Sequence, residues 1–474
     1  MAMEEALAGL GHLINGEIVV NDETFDVIDP STGELFATCP SATAEMVDQA
    51  YAAAVAAQPA WAADEAARRK AIIDMNDLLQ ANLQVIGDIV GHEKGSSGLG
   101  ETWFAGVFAQ HIAEAPLTVE TLHDDDSRSV KVVRTPVGVV AAIVPWNAPA
   151  LILCDKIFSA LLAGNTMVAK PSPFTPLSAL YIAKLFNQVL PPGVLNVLAG
   201  SDEIGEAMVA HPDTAMITFT GSISAGKQIM AAAAPGLKNL LLELGGNDAA
   251  IVLDDADPKK IAPAIFGAAF GGTGQICAAI KRVYVHRSQY ETLVDELANI
   301  ARETKVGSPD EEGVTMGPLS NKQQFDRVCG LVEDALDHGG KAITGGAPLD
   351  RPGYFYPPTI LTGVGRGVRV VDEEQFGPVL PIIPFDDVED ALAQANGTEY
   401  GLGGSVWTQD TDRGLALAER MQSGSSWVNT HSGVSPEIPF GGVKSSGMGR
   451  SCGQPGIDAY CELKTVIVNK LGAL

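Results

Sequence analysis

The sequence has 474 residues and a formal net charge of −27, with 46% hydrophobic and 19% charged residues. So acidic a chain lacks the basic surface that nucleic-acid binding requires, whereas its apolar content is ample for large buried cores. On length alone, about three domains are expected. The six cysteines include no C-x-x-C pair and the eight histidines no H-E-x-x-H motif, so the sequence predicts neither a metal site nor a disulfide framework.

The start of the chain and its apolar runs bear on location. Residues 1–5 are acidic and lack the basic segment of a signal peptide. The most apolar run, residues 137–153, is interrupted by Pro145 and Pro149 and is too short to span a bilayer. Unpaired thiols suit a reducing compartment. We therefore predict a soluble, cytoplasmic protein with no membrane and no nucleic-acid partner.

Strand and helix patterns alternate through the first half of the chain. Residues 12–39 are typical of short strands, residues 43–63 of an alanine-rich helix, and residues 65–90 of one long amphipathic helix. From residue 137 onward the predicted strands are 139–144, 166–169, 194–198 and 215–220, with helices at 149–162, 176–189, 203–210 and 224–233. This alternation predicts a parallel sheet with helices on both faces, which binds ligands at the carboxyl ends of its strands.

A second alternating region, residues 249–440, predicts another α/β domain. It contains a strand at 249–253, helices at 288–304 and 322–338, and a turn and strand at 396–407. Residues 130–134 alternate in polarity but lie outside both series. The tail, residues 460–468, also alternates and is a candidate partner strand for them.

Two stretches of the sequence indicate chemistry. Cys277 follows a loop with three glycines, and Glu243 ends an apolar run just before Gly245 and Gly246. A thiol that attacks and a carboxylate that activates water would together form a site for covalent catalysis. Taken alone, a cysteine such as Cys277 is more often a small buried hydrophobic residue.

Other candidate residues follow predicted strand ends. Asn147 lies between two prolines, where its amide could stabilise an oxyanion or simply satisfy a turn. Gly221 and Gly226 flank the start of a helix, a setting that can bind phosphate but is also common for structural reasons. Lys170 could reach a ribose or phosphate, although an isolated lysine is usually solvated.

Together these stretches resemble the NAD(P)-dependent aldehyde dehydrogenase superfamily. Seven of them occur in the family's order and spacing: residues 145–147, 170–172, 219–222, 243–246, 274–277, 373–378 and 439–442. The resemblance extends over about residues 15–468 and implies an α/β fold with a Rossmann-type parallel-sheet cofactor domain, an α/β catalytic domain and a small β oligomerisation arm. The implied ranges are 1–122 and 138–244 for the dinucleotide-binding domain, 245–442 for the catalytic domain, and 123–137 and 443–474 for the arm and tail.

The resemblance also implies a mechanism. Cys277 would attack the aldehyde, and Asn147 with the backbone N–H of Cys277 would form the oxyanion hole. The resulting thiohemiacetal would lose hydride and become a thioester, which water activated by Glu243 would hydrolyse to the carboxylic acid. Lys156 resembles a lysine proposed to relay protons to that base, and no catalytic metal is implied.

NAD is the implied cofactor, with NADP as the alternative. The residues expected to bind it are Ile143, Trp146, Lys170, Ser172, Pro173, Gly205, Gly221, Ser222, Gly226, Leu244, Gln324, Glu374 and Phe376. Two positions depart from many family members. Pro173 stands where an acidic residue often bonds the ribose 2′-hydroxyl, and Ser451 stands where a glutamate often joins the proton relay.

Alternatives to this function are a CoA-acylating relative, which usually lacks the glutamate found here at Glu243, and a non-catalytic family member. The residues expected near the aldehyde are mostly small or apolar: Ala148, Ile152, Asp155, Gly271, Ile276, Ala278, Val434 and Phe440. They favour a broad range of apolar or aromatic aldehydes, and no arginine is positioned for a carboxylated one. The separate strands at 130–134 and 465–468 predict a homodimer or homotetramer.

Overall fold

The computed structural model describes residues 2–472. Met1, Ala473 and Leu474, which the predicted domain ranges include, lie outside the described residues. The helices are α1 (Ala2–Leu7), α2 (Ala44–Ala63), α3 (Glu65–Ala81), α4 (Leu83–Lys94), α5 (Leu99–Glu114), α6 (Pro149–Leu162), α7 (Leu177–Phe186), α8 (Asp202–Ala210), α9 (Ile223–Ala233), α10 (Pro258–Phe270), α11 (Tyr290–Glu303), α12 (Lys322–Asp337), α13 (Arg369–Asp372), α14 (Val388–Asn396), α15 (Thr411–Ala418) and α16 (Gly453–Asp458).

The strands are β1 (His12–Ile14), β2 (Glu17–Val19), β3 (Thr24–Asp29), β4 (Glu34–Pro40), β5 (Glu120–Asp124), β6 (Arg128–Pro136), β7 (Val139–Ile143), β8 (Thr166–Lys170), β9 (Leu195–Val197), β10 (Met216–Thr220), β11 (Asn239–Glu243), β12 (Asp248–Val252), β13 (Ile280–His286), β14 (Lys341–Thr344), β15 (Thr359–Thr362), β16 (Val379–Phe385), β17 (Gly403–Trp407), β18 (Ser425–Val428), β19 (Gly447–Met448) and β20 (Cys461–Asn469). Short 3₁₀ segments lie at Ala234–Gly236, Gly271–Gly274 and Lys444–Ser446.

The first large sheet has the strand order β19-β11-β10-β7-β8-β9-β1-β2. The neighbours from β11 to β9 are parallel, which confirms the predicted parallel sheet. Its two faces are covered by different helices, because successive strand residues point in opposite directions. Val140 and Ala142 pack with apolar residues of α3, α5, α6 and α7, whereas Val139 and Ala141 pack with those of α2, α8 and α9.

The predicted helix at 65–90 is wrong in one respect, because the chain forms two helices that meet at Asn82. The side-chain amide of Asn82 donates to Leu78 O (2.8 Å), and its Oδ1 accepts from the Tyr181 hydroxyl (3.0 Å). Asparagine competes in this way for backbone groups and favours helix ends. The apolar spacing alone did not reveal the break.

The second large sheet has the order β14-β15-β16-β13-β12-β17-β18. All its neighbouring pairs are parallel except β14 with β15. The predicted strand at 249–253 is confirmed as β12, and the two predicted long helices are confirmed as α11 and α12. Helices again cover both faces, so this region is a second α/β unit.

A separate three-stranded sheet joins β20, β6 and β5. The predicted partnership between the tail and residues 130–134 is confirmed, because β20 runs antiparallel to β6 with Ile467 opposite Val130. Leu463 and Ile467 on β20 are 69% and 66% exposed. Within residues 2–472, no helix has the length and apolarity needed to cross a membrane, and no group of three or more metal-ligating side chains is found.

Candidate active site

The carboxyl ends of the central strands lie side by side at one edge of the first sheet. Ile143 at the end of β7 is in register with Lys170 at the end of β8, and Thr220 at the end of β10 with Glu243 at the end of β11. Asn147 follows β7 shortly before α6 begins. The edge where ligands are expected therefore carries the residues that the sequence singled out.

A tight turn carries the chain from α10 to Cys277. Thr273 and Gly274 both have left-handed φ angles, 61° and 71°. A Cβ atom on Gly274 would lie 2.3 Å from the carbonyl oxygen of Gly377, so only glycine fits there. The turn thus brings the loop of Cys277 against the predicted motif at residues 373–378.

The thiol of Cys277 is half-buried, and all six cysteines of the chain are free. Burial raises the pKa of the Cys277 thiol to about 12, and the carboxylates of Glu243, Glu374 and Asp248 add to the increase. The ammonium group of Lys281 opposes it. Burial is thus the main obstacle to thiolate formation, and three carboxylates and one lysine modify it.

The side chain of Asn147 contacts the same loop. Its Nδ2 atom donates a hydrogen bond to the carbonyl oxygen of Gln275 at 2.8 Å. An amide nitrogen carries two hydrogens, so one remains for another acceptor. This contact fixes the amide next to the loop that carries the thiol.

Glu243 is buried, and neither of its carboxylate oxygens has a hydrogen-bond partner within the described chain. Burial raises its pKa to about 8, and the charges of Lys156 and Arg450 oppose this increase. The nearby N–H of Ser451 opposes it as well, although that N–H donates its hydrogen bond to the carbonyl oxygen of Phe440 (2.7 Å). A Cβ atom on Gly441 would lie 2.7 Å from Oε1 of Glu243, so the glycine motif at residues 439–442 makes room for the carboxylate.

Lys156 is buried on α6, and its Nζ atom donates to Oγ1 of Thr218 at 2.8 Å. The hydroxyl of Tyr460 donates to the same oxygen at 3.2 Å. Burial lowers the pKa of Lys156, and the charges of Asp155 and Glu243 oppose this decrease. Lys156 is thus electrostatically linked to Glu243.

Several predicted cofactor residues meet at the ends of β7 and β8. A Cβ atom on Gly205 would lie 3.6 Å from Cδ1 of Ile143 and 3.6 Å from Cδ of Lys170. Burial lowers the pKa of Lys170 to about 8, and the carboxylate of Asp202 opposes this. Sequence reasoning missed Asp202, which adds a negative charge near Lys170.

A second set of predicted cofactor residues lies at or near the start of α9. Oγ of Ser222 caps the helix by accepting the N–H of Ala225 at 3.2 Å. The N–H of Gly221 donates to the carbonyl oxygen of Glu243 at 3.0 Å. A Cβ atom on Gly226 would lie 2.7 Å from Leu244, so glycine allows this close approach. Ser172 caps its own turn through the N–H of Phe174 at 3.3 Å, and Pro173 beside it is half-buried.

A third set of predicted cofactor residues, Trp146, Gln324, Glu374 and Phe376, lies next to the Cys277 loop. Oε1 of Glu374 accepts the N–H of Gly246 at 3.0 Å, and burial raises the pKa of Glu374 to about 7. Nε2 of Gln324 donates to the carbonyl oxygens of Gln375 (2.8 Å) and Phe376 (2.9 Å). The rings of Phe376 and Trp146 meet edge-to-face with their centroids 5.4 Å apart. These residues form one contact network.

Comparison with known proteins identifies the family. The sequence model of the aldehyde dehydrogenase family matches residues 18–466. The chain belongs to the aldehyde dehydrogenase family. The predicted aldehyde dehydrogenase enzyme and fold are therefore confirmed, as is the expectation of NAD(P) at the level of the family.

Individual relatives match over nearly their whole length. Phenylacetaldehyde dehydrogenase of Pseudomonas fluorescens is 38% identical over 479 residues, which cover 96% of this chain and 95% of the relative. The NAD+ complex of an aldehyde dehydrogenase from Bacillus cereus has a TM-score of 0.94 and 35% identity, covering 97% of this chain and 96% of the other. An NADP-dependent enzyme of E. coli has a TM-score of 0.95 and 34% identity, covering 98% and 99%.

The departure at Ser451 lies close to Glu243 in this aldehyde dehydrogenase family member. Ser451 and Phe440 exchange backbone hydrogen bonds of 2.7 and 2.8 Å. The guanidinium of Arg450 donates to the carbonyl oxygens of Gly442 (3.0 Å) and Gly449 (2.6 Å). The loop is thus held by backbone contacts, and Ser451 supplies no carboxylate there.

The residues expected near the aldehyde include one carboxylate. Asp155 is half-buried on α6; its Oδ1 has no hydrogen-bond partner within residues 2–472, and burial raises its pKa to about 6. Ala278 is buried, and its carbonyl oxygen accepts the hydroxyl of Ser432, two residues before Val434. The side chain of Ile276 lies over Gly272, and Ala148, Ile152, Gly271 and Phe440 are half-buried.

Two buried features near Cys277 escaped sequence reasoning. Nδ1 of His431 lies 2.9 Å from Oγ of Ser405, and its Nε2 lies 3.5 Å from Oδ2 of Asp248. Lys281 is the second of these features, and its side chain is buried as well. Neither feature belongs to a recognisable sequence motif, because the partners of His431 are distant along the chain and the burial of Lys281 cannot be read from its neighbours.

Proposed function

We propose that the chain oxidises aldehydes to carboxylic acids by covalent catalysis at Cys277, with hydrolysis assisted by Glu243. The observation that carries the proposal is the buried carboxylate of Glu243, whose two oxygens lack partners within residues 2–472 and whose charge acts on the Cys277 thiol. Buried polar groups with a purely structural role are normally hydrogen-bonded. An unpartnered carboxylate is free to accept a proton from water.

In the first half of the proposed reaction, the sulfur of Cys277 attacks the aldehyde carbon and a C–S bond forms. The second N–H of the Asn147 amide and the backbone N–H of Cys277 stabilise the oxyanion, which contributes about 10²–10³ in rate. NAD(P), when bound, supplies the acceptor for the hydride that leaves the aldehyde carbon.

In the second half, Glu243 removes a proton from a water molecule whose oxygen attacks the thioester carbon. The C–S bond breaks, the carboxylic acid leaves, and the sulfur of Cys277 is regenerated. Lys156, whose charge acts on Glu243, is proposed to move the proton onward from that carboxylate. A thioester that is hydrolysed needs no CoA.

The cofactor residues fit a dinucleotide. The start of α9 lies at the carboxyl edge of the sheet, where its free N–H groups favour phosphate, and the glycine at Gly226 lets the helix approach Leu244. We propose that Lys170, Ser172, Gly205, Gly221 and Ser222 hold the adenosine and phosphates, with Glu374, Gln324, Phe376 and Trp146 on the nicotinamide side.

We further propose NAD as the preferred cofactor, with modest discrimination against NADP. Pro173 neither repels a 2′-phosphate nor bonds a 2′-hydroxyl. The carboxylate of Asp202 favours the charged form of Lys170, but its own negative charge would repel a phosphate bound there. Among the similar structures, one binds NAD+ and another is NADP-dependent, so the fold accommodates both cofactors.

The proposed substrates are apolar or aromatic aldehydes. The small and apolar residues around Ala278 and Val434 support this, as does the similarity to phenylacetaldehyde dehydrogenase. The exposed apolar side chains of β20 support a homodimer or homotetramer. The free thiols support a cytoplasmic location.

The decisive experiment is aldehyde oxidation by wild type and Cys277→Ala, with and without CoA. Wild type should release NADH and carboxylic acid without CoA, and Cys277→Ala should lose this activity while still binding NAD. Cys329→Ala, a remote half-buried thiol on α12, is the matched control and should retain activity. Activity of Cys277→Ala near that of wild type, or an absolute need for CoA, would contradict the proposal.

A further inference from the structure

Lys281 lies beneath the loop that carries Cys277. It is the second residue of β13, and its side chain is 1% exposed. Its Nζ atom donates to the carbonyl oxygens of Ile276 (2.6 Å), Cys277 (3.2 Å) and Ala279 (3.4 Å). An ammonium group has three hydrogens, so one side chain can satisfy all three carbonyls and hold the loop in one shape.

The same ammonium group faces the proposed nicotinamide side. It lies 3.9 Å from Oε1 of Glu374 and 5.7 Å from the ring centroid of Phe376. Glu374 in turn accepts the N–H of Gly246 at 3.0 Å. Lys281 therefore connects the nucleophile loop to a carboxylate and a ring proposed to contact the cofactor.

A buried ammonium group is expensive unless it is paired and hydrogen-bonded. If Lys281 served only to satisfy the loop carbonyls, its contact with Glu374 would have no bearing on the thiol. The two roles differ in a measurable way, because only a link to Glu374 makes the reactivity of Cys277 depend on cofactor binding.

We propose that Lys281 is a positioning residue that fixes the Cys277 loop through three carbonyls and links it, through Glu374, to the bound cofactor. The inference rests on the proposed function, since it takes Cys277 as the nucleophile and Glu374 as a cofactor contact. Through this lysine, the bound cofactor changes the reactivity of the Cys277 thiol.

Removal of the lysine leaves the thiol facing carboxylates alone. Lys281 lowers the pKa of Cys277, whereas Glu243, Glu374 and Asp248 raise it. Without the lysine, the thiolate fraction at a given pH falls, and one pKa unit corresponds to a tenfold change. Lys281→Met should therefore be alkylated more slowly at Cys277, by about tenfold for each unit by which the pKa of the thiol rises, while Lys281→Arg should recover much of the rate.

The test measures the rate at which iodoacetamide alkylates Cys277 at pH values between 6.5 and 10, with and without NAD. Peptide mass spectrometry detects the alkylated residue. Lys260→Met on the exposed surface of α10 is the matched control for loss of one positive charge and should behave as wild type. NAD binding by calorimetry and thermal unfolding check that each variant is folded. Glu374→Gln breaks the link from its other end and serves if Lys281→Met does not fold.

We expect NAD to change the wild-type alkylation rate, and both Lys281→Met and Glu374→Gln to remove most of that change. A wild-type rate that NAD leaves unaltered, or variants with the wild-type pH profile and NAD response, would overturn the inference alone. If wild type alkylated at Cys277 still oxidised aldehydes, the proposed function would fall, and this inference with it.

Discussion

Replacement of Glu243 by glutamine separates the two halves of the proposed reaction. The amide is nearly isosteric with the carboxylate, and within residues 2–472 no hydrogen bond to that carboxylate is lost. The fold around Cys277 should therefore survive, and loss of the carboxylate removes one of the charges that raise the pKa of this thiol. What disappears is the group proposed to accept a proton from water, so the acyl-enzyme should still form but should hydrolyse slowly.

The expected magnitude follows from general-base catalysis, which contributes about 10²–10⁴ in rate. We expect kcat of Glu243→Gln to fall by about 10²–10³ while the first turnover stays within about threefold of wild type. The pH dependence has a definite sign. Because burial raises the pKa of Glu243 to about 8, the active carboxylate accumulates as pH rises and the hydrolysis rate should level off above pH 8.

Stopped-flow NADH fluorescence should show a burst of about one NADH per subunit in Glu243→Gln, followed by slow turnover. Intact mass should then show the acyl group on Cys277. Glu303→Gln, an exposed glutamate at the end of α11, is the control and should match wild type. An unchanged steady-state turnover rate in Glu243→Gln would refute the role of this carboxylate as general base. A hydrolysis rate that still increased up to pH 8 in this variant would refute it as well.

Three further predictions concern the cofactor, stability and assembly. Pro173→Glu should lower kcat/KM with NADP at least tenfold more than with NAD, because it adds a charge that repels a 2′-phosphate; equal losses would contradict this. The pKa of Glu93, buried and bonded to Leu177 N–H (2.7 Å), is raised from 4.5 to about 8. Native Glu93 thus keeps a proton that the unfolded chain loses, so the stability of the folded protein falls as pH rises from about 4.5 to 8. The thermal unfolding temperature of Glu93→Gln should therefore fall less than that of wild type across this range. Ile467→Asp should shift the oligomer toward monomer by light scattering; an unchanged mass would exclude this strand as the interface.

The sequence allowed much of the first sheet to be predicted, for a physical reason. Strands buried on both faces, such as β7 and β10, are continuous apolar runs bounded by helices, and that pattern is local. β19 could not be found in this way. Its two residues, Gly447 and Met448, form a strand only because they pair with Glu243 and Leu242 of β11, so nothing local marks them.

The residues of the site likewise fall into those that the local sequence marks and those that it does not. Asn147 follows a strand, Glu243 ends one, and Cys277 follows a glycine turn, so the local sequence marks all three positions. Lys281 offers no such signal, because a lysine beside Arg282 at the start of a strand suggests a solvated surface. Only its burial and its carbonyl partners show otherwise. Asp202 is similar, since its effect on Lys170 depends on how α8 packs against β8.

The two buried lysines act on different groups of the site, while the charge of Glu243 acts on both Lys156 and Cys277. Lys281 acts on Cys277 and Glu374, the groups proposed to serve attack and cofactor binding. Lys156 acts on Glu243 and lies beside Asp155, the groups on the side of hydrolysis. Because Ser451 supplies no carboxylate, Asp155 and Glu243 are the acids whose charges act on Lys156. A change at Lys281, which acts on Cys277, should therefore alter acylation. A change at Lys156, which acts on Glu243, or at Asp155 beside it should alter deacylation.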